Sequence, residues 1–317
     1  MSPERPSHLT AVLALGVTAL IWAGGFPATK YALQAGLSVG ALLSLRFAIG
    51  TLGLGTMLVL LKVPLRRREV LDGAWLGLLL AATFWLQTDG LRFTTTSKSG
   101  FVTGLYVIFT PLVALLAGDR LRPSHGLGAL VALAGLGLLV REPGVPWGGW
   151  NRGDTETLAA AFICGVHIVA TAHFSRRSSG WVLAFTQVAV TGVISLAITL
   201  ALPAPHGFQV AGATLARGGV WVALAFAGLL ATTFAFWAQS TFQARLGATE
   251  CAVLFSMEPV WTAGLAVSGW IPGIRETLSP VQALGGLLIF AASLVAELGP
   301  RLLRRAEGAA AAEEAIG

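Results

Sequence analysis

The sequence predicts an all-α integral membrane protein of ten transmembrane helices, arranged as two inverted five-helix repeats. Three observations carry this. Of 317 residues 55% are apolar and only 11% charged, and the mean hydropathy is +0.75, whereas a soluble domain is about 25% charged. The apolar residues gather into stretches of ~20, the length that a hydrocarbon core of about 30 Å asks of a helix. The order of motifs then repeats once, and a repeat with an odd number of crossings enters the bilayer upside down the second time.

The segments fall at 9–29, 37–61, 72–92, 99–117, 124–140, 156–174, 181–202, 218–241, 248–271 and 281–298. None shows the alternating pattern of a barrel strand, so helices are left to satisfy the backbone in lipid. The first segment lacks a small-residue cleavage site and nine more follow it, so it reads as a retained helix rather than a signal peptide. Lys and Arg gather on the cytoplasmic side of short loops. With the amino terminus inside, Arg5, Lys62, Arg66, Arg67, Arg68, Arg120, Arg122, Arg176, Arg177, Arg245, Arg301, Arg304 and Arg305 face the cytoplasm. Only Lys30, Arg92, Lys98, Arg141, Arg152, Arg217 and Arg275 lie outside, which predicts two cytoplasmic termini. The same topology explains the net charge of +6 without nucleic acid, because the basic residues are dispersed over loops. Cys164 and Cys251 sit inside helices with no CxxC or metal spacing, so neither a disulfide framework nor a metal is expected.

Residues 1–143 are expected to form the first repeat and 144–299 the second, joined through GVPWGGWNRGDTE, whose Gly, Pro and Asn break helices. Residues 300–317 have no apolar face and are expected to be a disordered cytoplasmic tail. Within the repeat, FWLQT (Phe84 to Thr88) matches FWAQS (Phe236 to Ser240). DRLRPSHGLG from Asp119 matches ETLSPVQALG from Glu276, Pro111 matches Pro259, and Arg46 falls opposite Gln187. Collinear order across the chain makes chance a poor explanation.

These motifs, with TALIWAGGFPATKYAL and LSLRFAIG, resemble the drug/metabolite transporter superfamily in its ten-helix EamA-type branch, and within it the exporters of amino acids similar to the YddG type. The resemblance covers almost the whole chain. It implies inverted five-helix halves that move small organic solutes by alternating access. One departure stands out: Asp119 occupies the place of the usual Glu before segment five, nearer its proline than Glu276 is to Pro259.

A carboxylate inside a membrane helix costs ~2.5–3.5 kcal/mol on insertion scales, so Glu258, read as near the centre of segment nine, is a functional candidate. It is read either as a proton-coupling group or as a structural hydrogen-bonding acid. Arg46 is read either as one half of a structural pair with Asp89 or as a partner for a solute carboxylate. Trp85 with Gln87 and Trp237 with Gln239 offer aromatic faces and amide groups for a solute. Two positions along a helix are about 200 degrees apart, so both members of a pair cannot face one cavity. Trp22, Tyr106 and His167 complete the candidate substrate-binding set, and the stripe of Thr103, Tyr106 and Thr110 either lines a cavity or bonds a neighbouring helix. Gly73 with Gly77 and Gly100 with Gly104 put small residues one turn apart for helix contact.

The expected function is export of amino acids, aromatic or aliphatic, across a bacterial inner membrane, with efflux of proton-coupled lipophilic cations or drugs as the alternative. A single buried base argues against phosphate-bearing solutes, which call for several Lys or Arg. No nucleophile and base spacing and no HExxH is present, so an enzyme is not expected and no cofactor is implied. The expected partners are a small-molecule solute, possible protons and the bilayer; two halves in one chain suffice for a monomer.

Overall fold

The computed structural model describes residues 7–116, 123–139, 141, 149–203, 206–208, 210, 213–292 and 294–295. The expected tail, Asp119 and the first five residues of the expected joining loop, 144–148, lie outside the described residues. The regular structure of the described chain is helical, apart from an isolated bridge between Leu37 and Val210.

Seven stretches are long and apolar enough to cross a membrane. They are α1 (His8–Gln34), α2 (Val39–Leu60), α3 (Arg67–Gly90), Thr96–Leu116, α7 (Arg152–Phe174), α8 (Gly180–Ala201) and Gly218–Leu246. Thr96–Leu116 divides into α4 (Thr96–Thr103) and α5 (Tyr106–Leu116). Gly218–Leu246 contains α9 (Gly218–Ala225), a π-helical stretch (Phe226–Phe234) and the start of α10 (Ala235–Phe255). The other three predicted segments fall on shorter helices: α6 (Pro123–Leu139), α11 (Glu258–Ser268) and α12 (Pro280–Ala292).

Several starts are set by side-chain caps, each worth about 1 kcal/mol. The hydroxyls of Ser7, Ser38 and Thr95 accept from the N–H groups of Thr10, Ala41 and Lys98. Asn151 and Asp154 form a reciprocal capping box that starts α7 at Arg152, four residues before the sequence placed segment six.

Two expectations about the second half are corrected. The predicted connection at 242–247 is helical, because α10 runs unbroken from Ala235 to Phe255; a lone Gly247 in a stretch without proline does not stop a helix. The break comes at Ser256 and Met257 instead, and Glu258 is the first residue of α11, not its centre. Pro259 is the cause. Its ring cannot sit against the carbonyl of a preceding turn, yet it suits the first turn of a new helix. α11 then ends on Gly269, whose φ of +70° is a left-handed cap.

The most extensive packing joins elements of the first 143 residues to elements after 150: α3 to α7 and α8, α2 to α8, α1 to α10 and α11, α5 to α7, and α4 to α11. Glycines permit the closest of these approaches. A Cβ at Gly77 would stand 2.7 Å from Val190 Cβ, and one at Gly104 would stand 2.6 Å from Pro259 Cγ. Large apolar side chains such as Leu52, Val59, Leu116, Leu200 and Val222 point outward, as lipid requires, while many buried positions are Thr, Ser and Gln. These polar groups need partners within the bundle.

Candidate functional site

One chamber of about 780 Å³, part of it open to solvent, lies among α1, α2, α3, α4, α5, α7, α10 and α11. Helical periodicity explains which residues reach it. On α1 these are Trp22, Gly25, Phe26 and Thr29; on α3, Leu80, Thr83, Phe84, Gln87, Thr88 and Leu91; on α7, Cys164, His167 and Ile168. Each set follows three- and four-residue steps, which line up on one helix face. Arg46, Thr103, Tyr106, Phe236, Gln239, Phe255 and Glu258 close the lining.

The aromatic rings form a connected wall. Trp22 lies 5.1 Å from Phe255 and 5.6 Å from Phe236, and Phe236 meets Phe84 at 6.1 Å and His167 at 6.3 Å, both edge to face. Such geometry suits the ring quadrupole and leaves faces for an apolar or cationic guest.

Two opposite charges sit in this wall without touching each other. Arg46 is 4% exposed, and its Cζ lies 4.3 Å over the Phe84 ring. Its Nε donates to Thr232 Oγ1 at 3.0 Å, and its Nη2 reaches Ala231 O at 3.4 Å. Among the described residues no carboxylate pairs with it. The π-helical stretch prepares this contact by rerouting its own hydrogen bonds. Thr232 Oγ1 and Thr233 Oγ1 donate five residues back, to Ala227 O and Gly228 O, and Ala231 O also accepts from Trp22 Nε1 at 3.1 Å. π-Helical turns are frequent at functional sites. Glu258, 7% exposed, accepts from Tyr106 Oη at 3.3 Å and has no basic partner among the described residues.

The remaining polar groups divide into spent and unspent. Gln87 Nε2 donates to Thr103 Oγ1 at 3.1 Å, and Thr110 donates to Tyr106 O in its own helix. His167 Nε2 lies 2.8 Å from Gln187 Oε1, and Gln187 Nε2 donates to Ser240 Oγ at 2.9 Å. Gln239 Oε1 is buried with no partner. Cys164 is a free thiol, and the described residues contain no group of three His, Cys, Asp or Glu placed to hold a metal.

Charge pairs tie the helices together beyond both ends of the chamber. At the start of α3, Asp72 takes Arg177 with two bonds of 2.6 and 3.0 Å, plus Ser178 Oγ at 2.8 Å. At its far end Asp89 pairs with Arg92 at 2.7 Å and Arg152 at 2.8 Å, with His206 Nε2 at 3.1 Å. Nearby, Lys98 pairs with Asp154 at 2.7 Å and also meets Gly149 O. Lys30 donates to Leu91 O and Thr94 O. Glu276 accepts from the N–H groups of Thr96 and Ser97 at the start of α4.

Of the sequence-derived candidates, Trp22, Gln87, Tyr106, His167, Gln239, Arg46 and Glu258 share the chamber. Trp85 does not line it: its Nε1 donates to Ser195 Oγ, and its ring faces His206. Trp237 also turns away, into Trp181, Phe234 and Phe242. Of the two readings of Arg46, the pair with Asp89 does not form: Asp89 lies at the end of α3 among three other basic groups, while the Arg46 side chain is directed at the π-helical stretch. Sequence reasoning missed Phe84 and Phe236, one residue before each tryptophan. The signal was present, since Phe84 to Gln87 and Phe236 to Gln239 are three-residue steps on one face.

A multi-pass helical membrane protein with an aromatic-lined chamber between its helices has the form of a transporter. The chain belongs to the EamA-like transporter family, which it matches twice, over residues 9–141 and 151–297, and it is accordingly a transporter and not an enzyme. It is 30% identical over 297 residues to an uncharacterized transporter of Archaeoglobus fulgidus, covering 93% of this chain and 88% of that one. It is 27% identical over 295 residues to a probable terminal-alkyne amino-acid exporter of Streptantibioticus cattleyicolor, covering 88% of this chain and 90% of that one. A solved crystal structure 24% identical to it shares the fold with a TM-score of 0.64, covering 94% of this chain and 99% of the other.

Proposed function

We propose that this transporter exports amino acids with aromatic or aliphatic side chains, by alternating access between two inverted five-helix halves that make ten crossings. One observation carries the solute class: Arg46 and Glu258 are buried in the walls of one aromatic chamber, and neither has an ionic partner among the described residues. A buried guanidinium without a carboxylate is costly, and so is the reverse. A zwitterion relieves both costs at once. Its carboxylate takes the N–H donors of Arg46 that Thr232 and Ala231 leave over, its ammonium faces Glu258, and its side chain packs on Trp22, Phe84, Phe236 and Phe255.

The double family match supports the two-half architecture, and the distribution of basic residues supports a plasma-membrane orientation with both termini in the cytoplasm. Glu258, able to bind a proton when no ammonium is present, is the proposed coupling group, and one chain is the proposed working unit. Efflux of lipophilic cations is the competing reading. The aromatic wall and Glu258 suit it, but Arg46 repels such a guest.

Proteoliposomes loaded with phenylalanine, leucine or a lipophilic cation, with and without a pH gradient, test the reading. Saturable movement of the amino acids is expected, with Glu258→Gln removing the response to the gradient. Movement of the cation alone would sink the amino-acid assignment.

A further inference from the structure

His167 lines the chamber yet touches its solute space with only part of its ring, because Nε2 is committed to Gln187. Gln187 is fully buried, does not line the chamber, and gives its amide hydrogen to Ser240 Oγ. An amide whose nitrogen donates to Ser240 presents its oxygen to the histidine, and an oxygen only accepts. The hydrogen in that contact therefore sits on His167 Nε2, and Nδ1 is left as a bare acceptor with no bond to any described residue. Gln239 Oε1, also in the lining and 1% exposed, is a second acceptor without a partner. A buried acceptor left unmet, as Gln239 Oε1 is, costs about 1–3 kcal/mol, so a pocket that holds it together with an unbonded Nδ1 is shaped for a donor that arrives from outside.

We propose that Gln187 and Ser240 are positioning residues that hold His167 as its Nε2–H tautomer, so that Nδ1 joins Gln239 Oε1 in accepting hydrogens from a solute's ammonium group. This rests on the amino-acid reading and deepens it: the amine of the solute is read by neutral acceptors as well as by Glu258. An ammonium has three hydrogens to give. A single carboxylate does not use them all, and the acceptors make the site selective for an amine over a des-amino acid of the same shape. The arrangement also explains why Gln187 is uncharged where its counterpart in the first repeat is Arg46. An arginine in its place would donate to His167 and force the opposite tautomer.

Two measurements separate the brace from the solute. In protein labelled with 15N-histidine and held in nanodiscs, the His167 signal, assigned by its loss in His167→Asn, is expected to report a protonated Nε2 and a bare Nδ1. Gln187→Leu and the milder Ser240→Ala are both expected to mix the tautomers. In proteoliposomes the same two variants are expected to raise KM for phenylalanine about tenfold, the size of one lost charge-assisted bond. kcat stays near wild type, and inhibition by 3-phenylpropanoate, which lacks the amine, is unchanged. A protonated Nδ1 in the wild type, the result of the reversed Gln187 amide, overturns the proposal. So does an equal weakening of phenylalanine and 3-phenylpropanoate, the mark of a merely structural role. If the wild type neither binds nor moves phenylalanine, the amino-acid reading and the ammonium contact fall together, and the 15N signal still decides whether the brace exists.

Discussion

The two halves of this chain put the same motif into the chamber in the same way and then diverge in charge. In each FWxQ segment the phenylalanine and glutamine face the chamber and the tryptophan turns away, so Phe84 meets Phe236 edge to face while Gln87 and Gln239 share one lining. The charges do not match across the repeat. Arg46 of the first half corresponds in sequence to Gln187, which serves the chamber only through His167. Glu258 of the second half, beside Pro259, corresponds to Thr110 beside Pro111, whose hydroxyl is spent on its own helix. Each half thus supplies one charge that its counterpart lacks. The lesson is that a repeated scaffold builds the apolar part of the site twice, and its electrical polarity comes from positions where the repeat has been broken.

The comparison breaks most severely if the charges are removed. Arg46→Met is expected to lower kcat/KM for phenylalanine by roughly 30-fold to a few thousand-fold, since loss of one partner of a buried charge contact costs about 2–5 kcal/mol. Transport assays in proteoliposomes measure it. Relocating the charge in Arg46→Gln with Gln187→Arg is not expected to restore activity, because position 187 lies behind His167 rather than in the lining. Recovery would show the halves to be interchangeable in charge as well as in scaffold.

The shared apolar wall is expected to matter next. Phe84→Ala or Phe236→Ala should each raise KM for phenylalanine by roughly 10–50-fold, a loss of ~1.5–2.5 kcal/mol of apolar contact. Trp85→Phe and Trp237→Phe should leave KM within about twofold, being turned away from the solute. A Trp effect as large as the Phe effect would mean that the motif's faces are reversed in the working protein.

Packing between the halves supplies the smallest, purely structural test. Gly77→Ala places a Cβ 2.7 Å from Val190 Cβ and 2.9 Å from Gln187 O, and overpacking of this kind costs about 1–3 kcal/mol. Its thermal midpoint in detergent should fall. Gly137→Ala, with nothing within 4 Å, should leave it unchanged.

Much of this was legible in the residues. Apolar length located the membrane stretches, and the collinear repeat led to both FWxQ motifs and to Arg46 and Glu258. The faces of those motifs were only half legible: a two-residue spacing says that Trp and Gln diverge, but not which one turns inward. Asp89 was one of two partners open to Arg46, and the pair does not form; proximity along predicted helices says nothing about side-chain direction. Its true partners Arg152 and His206 come from the far side of the chain. The helical run through 242–247 and the π-helical stretch left no clear mark, since both depend on which carbonyls neighbouring helices satisfy.

The sequence alone determined that the chain belongs in lipid, that it repeats, and which few charges lipid would have to tolerate. Those follow from transfer free energies, which are properties of each residue type. Tertiary structure decided which charges meet, which turn away and which stay unpaired. Burial makes a charge costly wherever it lies, but only the packing of α1 against α10 and α11, of α2 against the π-helical stretch and of α7 against α10 brings Arg46, His167, Gln239 and Glu258 around one space.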